Sequence, residues 1–325
     1  MKFVAQRFLF LLLSVWAAIT INFFLPRMMP GNPAEVMLAR YQGKLNPQAL
    51  HALALQFGIS HQPLWVQYWS YLISLLHGNL GVSVSYYPTP VTTVIAQSLP
   101  WTLALAGTAT VISVVAGTWL GVISAWHRGT IVDDILPIAT TVSSAIPYFW
   151  MALLLLYLFG FLLGWFPLGH AYSTIMVPSW SAGFVGNLLA HAILPLSTIL
   201  ISSLGGWLMS MRNNMLHILD DDFMTFGEAR GLSSRRLVYI YAARNAILPN
   251  LTGFSMALGF VVSGALLTEI VFSYPGLGYQ LFTAVENEDY PLMQGLFLII
   301  ALAVLLANFI TELIYARLDP RVREE

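Results

Sequence analysis

FLFLLLSVWAAITINFFL, Phe8 to Leu25, carries no charged residue. It is close to the roughly 20 apolar residues that cross a bilayer as a helix. Lys2 and Arg7 precede it, as basic residues precede the apolar core of a signal peptide. The stretch runs instead into Pro26 and Arg27, without the small-residue pattern of a cleavage site. It is expected to be retained as a first membrane span, and that sets the solvent in which the remaining residues must be read.

Five later stretches share its character. The expected spans run Phe8 to Leu25, Leu99 to Trp126, Ile135 to Trp165, His191 to Met211, Leu251 to Phe272 and Leu292 to Tyr315. Of 325 residues, 58% are hydrophobic and only 9% charged, with a mean hydropathy of +0.73. Lipid is therefore the medium for most of the chain. Inside it every backbone polar group must be satisfied internally. Long continuous runs, in place of alternating ten-residue strands, favour helices over a barrel. The expected fold is all-α, a polytopic membrane protein of six transmembrane helices. The chain has no Cys, which excludes disulfides, Cys-based metal sites and thiol catalysis.

Basic residues orient the spans. With the N-terminus in the cytoplasm, that side collects Lys2, Arg7, Arg128, Arg212, Arg230, Arg235, Arg236, Arg244, Arg317, Arg321 and Arg323. Only Arg27, Arg40 and Lys44 remain outside, so both termini are expected inside. The expected organisation is an N-terminal span (1–25), an extracytoplasmic domain (26–98), a core transmembrane bundle (99–316) with a cytoplasmic loop at 212–248, and a tail (317–325). The outer domain carries short amphipathic runs, Pro47 to Phe57 and Pro63 to Leu76. Its Trp65, Tyr68, Trp69, Tyr71, Tyr86 and Tyr87 suit either an interfacial belt or a docking surface.

Several chemistries lack their residues. A phosphate-binding loop needs a Lys after its glycines. The only lysines are Lys2 and Lys44, and Leu45 follows Lys44, so nucleotide hydrolysis is expected of a partner. No His is followed by Glu, no G-x-S-x-G elbow occurs, and the seven His are scattered. No metal, catalytic residue or nucleic-acid partner is expected. Glu269 and Glu312 fall at span ends, where water reaching a helix terminus would accommodate them. Gly117 and Gly121, and Gly160 and Gly164, have the spacing that lets helices approach closely.

The cytoplasmic loop holds the densest signal. Gly227 to Asn250 contains four of the fourteen Lys and Arg residues. Asp220, Asp221 and Asp222 place negative charge at a helix start, and Phe223, Phe226 and Ala229 recur at helical spacing up to Gly231. After a bend at Gly231, Ser233 or Ser234 is a plausible cap for a second helix. That helix is expected to gather Leu237, Ile240, Tyr241 and Leu248 on one face before Pro249. Exposed Phe223 and Phe226 need a partner to cover them. An amphipathic helix lying on the membrane, its Arg side chains snorkelling to lipid phosphates, would explain the basic residues but not the Gly bend as well.

These residues resemble the cytoplasmic coupling loop of ABC importer permeases, in the dipeptide, oligopeptide and nickel family. The sequence reads Glu228-Ala229-Arg230-Gly231-Leu232-Ser233, then Arg244-Asn245-Ala246-Ile247-Leu248-Pro249. Further matches run along nearly the whole chain: Pro30-Gly31-Asn32-Pro33-Ala34, Gly78-Asn79-Leu80-Gly81, Leu99-Pro100 with Thr102-Leu103, Arg128-Gly129 with Asp133, and Pro147-Tyr148-Phe149-Trp150. Glu269 to Gly278, Asp289-Tyr290-Pro291 and Asp319-Pro320-Arg321 complete them. The general importer motif starts with Glu six residues before its Gly, whereas Thr225 stands there, with Phe226 and Gly227 where two Ala would be.

The resemblance implies a permease subunit of a bacterial inner-membrane importer, forming half of the pathway and not itself an enzyme. Its implied partners are a second homologous permease, two ATP-binding subunits that hold ATP and Mg, an extracytoplasmic substrate-binding protein and membrane lipid. Asp222, Phe223, Thr225, Phe226, Gly227, Glu228, Ala229, Arg230, Gly231 and Leu232 are the expected ATPase-coupling residues. Ser143, Ser144, Ser202, Ser203, Ser255 and Ser263 are candidates for the pathway. The outer loop Ser273 to Pro291, with Tyr274, Pro275, Gly276, Glu286, Glu288 and Asp289, is a candidate contact for the binding protein, or else a cap on the bundle. The family's substrates are di- and oligopeptides, nickel complexes, glutathione and some oligosaccharides. A rival of another class is an ion-coupled secondary carrier.

Overall fold

A computed structural model describes residues 2–28 and 62–318 of the chain. The run Pro47 to Phe57, the motif Pro30 to Ala34, Arg40, Lys44 and the stretch from Asp319 to the end lie outside the described residues. Within them the regular elements are helices, with one isolated antiparallel bridge between Val82 and Pro90. In chain order they are α1 (Lys2–Met28), α2 (Leu64–Leu76), α3 (Val91–Trp126), α4 (Ile131–Ala145) and α5 (Tyr148–Leu155), which continues as a π-turn segment, Leu156–Leu162. Then come α6 (Ala182–Leu219), α7 (Asp222–Ala229), α8 (Ser234–Arg236), a second π segment (Leu237–Ala242) and α9 (Ala243–Ala246). The last are α10 (Leu248–Gly264), α11 (Leu266–Val271), α12 (Leu277–Glu286) and α13 (Tyr290–Leu318).

Four of these helices hold stretches long and apolar enough to cross a membrane: Ala5–Leu25, Val91–Trp126, Ala182–Leu219 and Tyr290–Leu313. The third and fifth expected spans are interrupted. Between α4 and the α5 segment the axis turns by 95°. Ile146 there is extended (φ −76°, ψ 124°), as the residue before a proline prefers, and Pro147 has no N–H to continue the ladder. The fifth stretch stops at Ala265 (φ −97°, ψ 3°), which separates the 17 residues of α10 from the 6 of α11.

The chain divides into two compact units, one reaching Thr102 and resuming at Pro275, the other Leu103–Tyr274. In the first, α1 runs along α13. Asn22 Nδ2 donates to Gln294 O at 2.8 Å, and Gln294 Nε2 donates back to Asn22 O at 3.2 Å. Arg7 and Glu312 approach to 3.4 Å near the other end of the pair. Glu312 is thus a half-exposed, paired carboxylate in the last turns of α13.

In the second unit α6 is the central post, packed by α4, α5, α9 and α10. The spacing of Gly117 and Gly121 does the work anticipated for it. A Cβ on Gly117 would fall 2.6 Å from the Trp207 Cβ, and one on Gly121 would fall 2.6 Å from Leu208 O. Only hydrogen fits between α3 and α6, so any larger residue would push the two backbones apart. Glu269 departs from expectation. It is wholly buried, with Thr268, on the inward side of α11, whose Leu267 is exposed, so water does not reach its side chain.

Candidate functional site

The loop that bears the family-like motif folds as a short helix laid on a methionine-lined base. In α7, Met224 and Gly227 face inward, three residues apart. Met224 joins Met211, Met215, Val122, Ala125, Leu237, Val238, Ala242 and Ala246 in one buried cluster. Gly227 permits this seating: a Cβ there would lie 2.8 Å from Leu237 Cδ2. The opposite face carries Phe223 (37% exposed) and Phe226 (64%), with the Arg230 guanidinium 5.9 Å from the Phe226 ring. Residues 223, 226 and 230 follow the helical repeat, so the helix presents two phenyl rings and a cation together.

The end of α7 is a Schellman turn. Leu232 N donates to Gly227 O at 3.3 Å and Gly231 N to Glu228 O at 2.8 Å, while Gly231 takes φ +73°. That left-handed conformation suits glycine and fixes the bend anticipated from the sequence. Asp222, Thr225, Glu228 and Ala229 are exposed with the two Phe, and Leu232 is half-buried. Ser233 occupies the cap position of α8, with its carbonyl accepting from Arg236 N and Leu237 N. A shallow pocket beside it is lined by Ser233, Arg235, Arg236, Tyr239 and Ile240.

One expectation for the second helix is corrected. Leu237 is buried, but Ile240 is 51% and Leu248 58% exposed. The π segment Leu237–Ala242 widens the turn, so the inward row becomes Leu237, Val238, Ala242 and Ala246. A reading at 3.6 residues per turn drifts off that row.

Two ionic contacts brace the base from behind. Arg212 donates to both Asp133 oxygens, Nε to Oδ1 at 2.6 Å and Nη2 to Oδ2 at 2.9 Å. Ser124 Oγ donates to the same carboxylate at 2.8 Å and Gly129 N at 3.3 Å. Arg128 reaches Asp220, beside the start of α7, at 2.9 Å on the surface. At the beginning of α10, Asn250 is 1% exposed. Its Nδ2 donates to Thr118 Oγ1 (2.9 Å) and Trp207 O (3.2 Å), and its Oδ1 accepts from Ser210 Oγ (2.7 Å). Asn250 thus ties the helix leaving the motif to α3 and α6.

The pathway candidates are differently placed. Ser143 and Ser144 on α4 donate to Thr140 O, Ser203 on α6 to Ile199 O and Ser255 on α10 to Leu251 O. These are bonds within a helix, the alternative use of such hydroxyls. Ser203 also meets Ser113 Oγ at 2.7 Å, across to α3. The Ser202 hydroxyl is buried without a partner among the described residues. Ser263 lies in α10 with its side chain outside the described ones.

Of the outer-loop candidates, Glu286 is exposed and Glu288 half-buried at φ +51°. Three others correct the expectation of a displayed surface: Tyr274 (2% exposed), Gly276 and Asp289 (0%) are interior. Burial, then the nearby Glu269 carboxylate, pushes the Tyr274 phenol up to about 12. Asp289 Oδ2 accepts from Ser83 Oγ and from Ser85 N (2.8 Å), and Oδ1 accepts from Leu292 N at 3.1 Å in the first turn of α13. It is a helix cap and a loop clamp. Pro275 is half-buried.

Comparison with known proteins gives this arrangement a context. Residues 117–324 match the family described as "Binding-protein-dependent transport system inner membrane component". Residues 1–106 match the N-terminal model of that transport-system membrane component. The chain belongs to this family: it is a multi-pass permease component of the ABC importer class, and the ion-coupled carrier is set aside. Among its relatives, the di/tripeptide transport system permease protein DppB of Pseudomonas aeruginosa is 32% identical, covering 100% of this chain and 99% of the relative. The dipeptide transport system permease protein DppB of Escherichia coli K12 is 30% identical over 100% and 99%. A putative peptide permease protein of Brucella suis is 33% identical over 96% of each.

Proposed function

We propose that this chain forms half of the translocation pathway of an ATP-driven importer for di- or oligopeptides, with both termini in the cytoplasm and six membrane crossings, the third and fifth interrupted. Its partners are a second homologous permease, two ATPase subunits that bind ATP and Mg, and an extracytoplasmic substrate-binding protein. The peptide substrate rests on the relatives' names. Nickel complexes, glutathione and oligosaccharides are the alternatives that the wider family leaves.

The observation that carries the mechanism is the split character of α7. Its inner face, Met224 and Gly227, is locked to a buried base, and its outer face offers Phe223, Phe226 and Arg230. A helix seated this way moves with its base. An ATPase subunit that grips the two rings can therefore drive α6 through Met211 and Met215, and α10 through the π segment and Asn250. Asp222, Thr225, Glu228, Ala229, Gly231 and Leu232 complete the coupling surface and its bend. In this reading the pathway runs along α4, α6 and α10, the helices that carry the six serines. Glu286 and Glu288 remain the outer-loop groups available to the binding protein. This chain performs no covalent chemistry in the scheme: it converts a pull at the cytoplasmic face into a change of helix packing.

The test is uptake by vesicles reconstituted with the complete transporter. Labelled dipeptide uptake that needs both ATP and the binding protein is expected. Uptake of labelled nickel complex, glutathione or oligosaccharide with no peptide uptake would overturn the substrate assignment.

A further inference from the structure

Helix α2 has two unlike sides. One is fastened to α1. Tyr68 Oη lies 2.8 Å from Thr20 Oγ1, Asn22 Nδ2 donates to Tyr71 Oη at 3.2 Å, and Arg27 Nε donates to Gln67 Oε1 at 3.3 Å. The Phe23 ring sits 5.1 Å from that of Tyr68 and 5.6 Å from that of Tyr71. Among the described residues nothing covers the other side. Trp65, Trp69, Ile73 and Leu76 are 75%, 64%, 44% and 86% exposed. Steps of four, four and three residues keep them in one stripe along the helix.

Length and composition say what can cover that stripe. The 13 residues of α2 extend about 20 Å, short of the roughly 30 Å hydrocarbon core, so the helix does not cross. It contains no Asp, Glu, Lys or Arg, so no charge opposes its entering an apolar medium. Its anchors Thr20, Asn22, Phe23 and Arg27 all belong to the final turns of α1, whose Ala5–Leu25 stretch is membrane-spanning in length and hydropathy. Helix α2 is therefore held beside the end of a span, at the depth where hydrocarbon gives way to headgroups. Tryptophan favours that depth. In the same turns α1 leaves Ile21, Phe24 and Leu25 uncovered, so the lipid-facing surface of the span reaches the level of α2. The Arg27 guanidinium, 3.6 Å from the Phe23 ring and donating to Phe23 O at 2.6 Å, sits where an arginine stem can lie on apolar surface with its head at the boundary.

We propose that the Trp65–Trp69–Ile73–Leu76 face of α2 is embedded in the lipid of one leaflet, so that α2 is an interfacial anchor lying against the end of α1. Interfacial helices usually keep a charged face toward water. In α2 that role passes to Gln67, Tyr68 and Tyr71, whose polar groups are engaged by α1. Lipid fits the stripe better than a soluble protein does, because a protein docking site carries a polar rim of directional contacts, and this stripe is four uncharged apolar side chains.

The chain has no cysteine, so single spin labels at Trp65→Cys, Trp69→Cys and Ile73→Cys, in the complete transporter in lipid nanodiscs, report these positions. The same complex with the unsubstituted chain supplies the background. At all three sites, collision with oxygen should exceed collision with a water-soluble nickel chelate several-fold, as at Phe24→Cys on α1. At Glu286→Cys the order should reverse. Ile73→Cys keeps both tryptophans, so the proposal stays testable if a Trp variant fails to assemble. Chelate-dominated collision at the three sites would overturn the proposal. So would low accessibility to both agents, the mark of a covering protein segment or second permease. Access to the chelate that is lost only on adding the substrate-binding protein would assign the face to that protein instead.

Discussion

Arg212 and Asp133 lie 79 residues apart in sequence and meet through two parallel hydrogen bonds, joining the start of α4 to the C-terminal part of α6. The pair is largely buried, with side-chain exposures of 20% and 8%. Removing one partner leaves the other charge without compensation. Arg212→Ala is therefore expected to destabilise by roughly 2–4 kcal/mol, somewhat below a fully buried pair. The double variant Asp133→Ala/Arg212→Ala should recover part of that loss. Thermal unfolding of the purified chain, run as a double-mutant cycle, checks this: strictly additive losses would show that the two residues do not act on each other.

Gly227 and Gly231 serve the same helix for different reasons, so their variants should separate. At Gly227 the obstacle is the mobile end of Leu237. Gly227→Ala should cost under about 1 kcal/mol, whereas Gly227→Leu should cost about 1–3 kcal/mol and lift α7 from its base. At Gly231 there is open space but a positive φ. Gly231→Ala should cost roughly 1–2 kcal/mol, and Gly231→Asn clearly less, because asparagine tolerates the left-handed region. Equal melting temperatures for the Ala and Asn variants would contradict the bend's role.

How far the sequence reaches is clear from these positions. The bend at Gly231, the outward Phe223 and Phe226 and the close packing at Gly117 and Gly121 follow from local chemistry and spacing. The inward row of the second helix did not, because a π segment changes the period and nothing in Leu237–Ala242 announces it. Asp133 was visible only as part of a motif, since its partner is distant in sequence. Asp289 looked like a charge for display because it neighbours Glu286 and Glu288. Its burial depends on Ser83 and Ser85, donors 206 and 204 residues away in sequence. Asn250 sat after Pro249 with nothing local to mark it as a junction.

The loop from Ser273 to Pro291 can now be divided experimentally. Asp289→Asn should lower stability by about 1–3 kcal/mol, because the amide cannot accept from Ser83, Ser85 and Leu292 at both of its ends. Its effect on docking should be no larger than that loss of fold explains. Glu286→Gln/Glu288→Gln should leave the melting temperature within about 1 kcal/mol of wild type and weaken binding-protein association, more so at low salt. Salt-independent, wild-type association of that double variant would remove the loop from the docking surface.

At Asn250 a small polar node holds three helices. Asn250→Ala leaves Ser210 and Thr118 without their bonds, and hydrogen bonds between membrane helices average under about 1 kcal/mol. A modest loss of stability, about 1 kcal/mol, should accompany a larger loss of transport per ATP hydrolysed. Uptake and hydrolysis falling in the same proportion would make the node purely structural.

The most direct measurement compares ATP hydrolysis with substrate uptake in vesicles containing the complete transporter with Phe223→Asp/Phe226→Asp in this chain. Both side chains are surface groups on a helix whose seating depends on Met224 and Gly227, so the variant should reach the membrane in normal amount. Uptake is predicted to fall to background while the residual hydrolysis no longer responds to the loaded binding protein. Wild-type uptake at equal protein levels would contradict the assignment of α7 as the element through which the ATPase moves this permease.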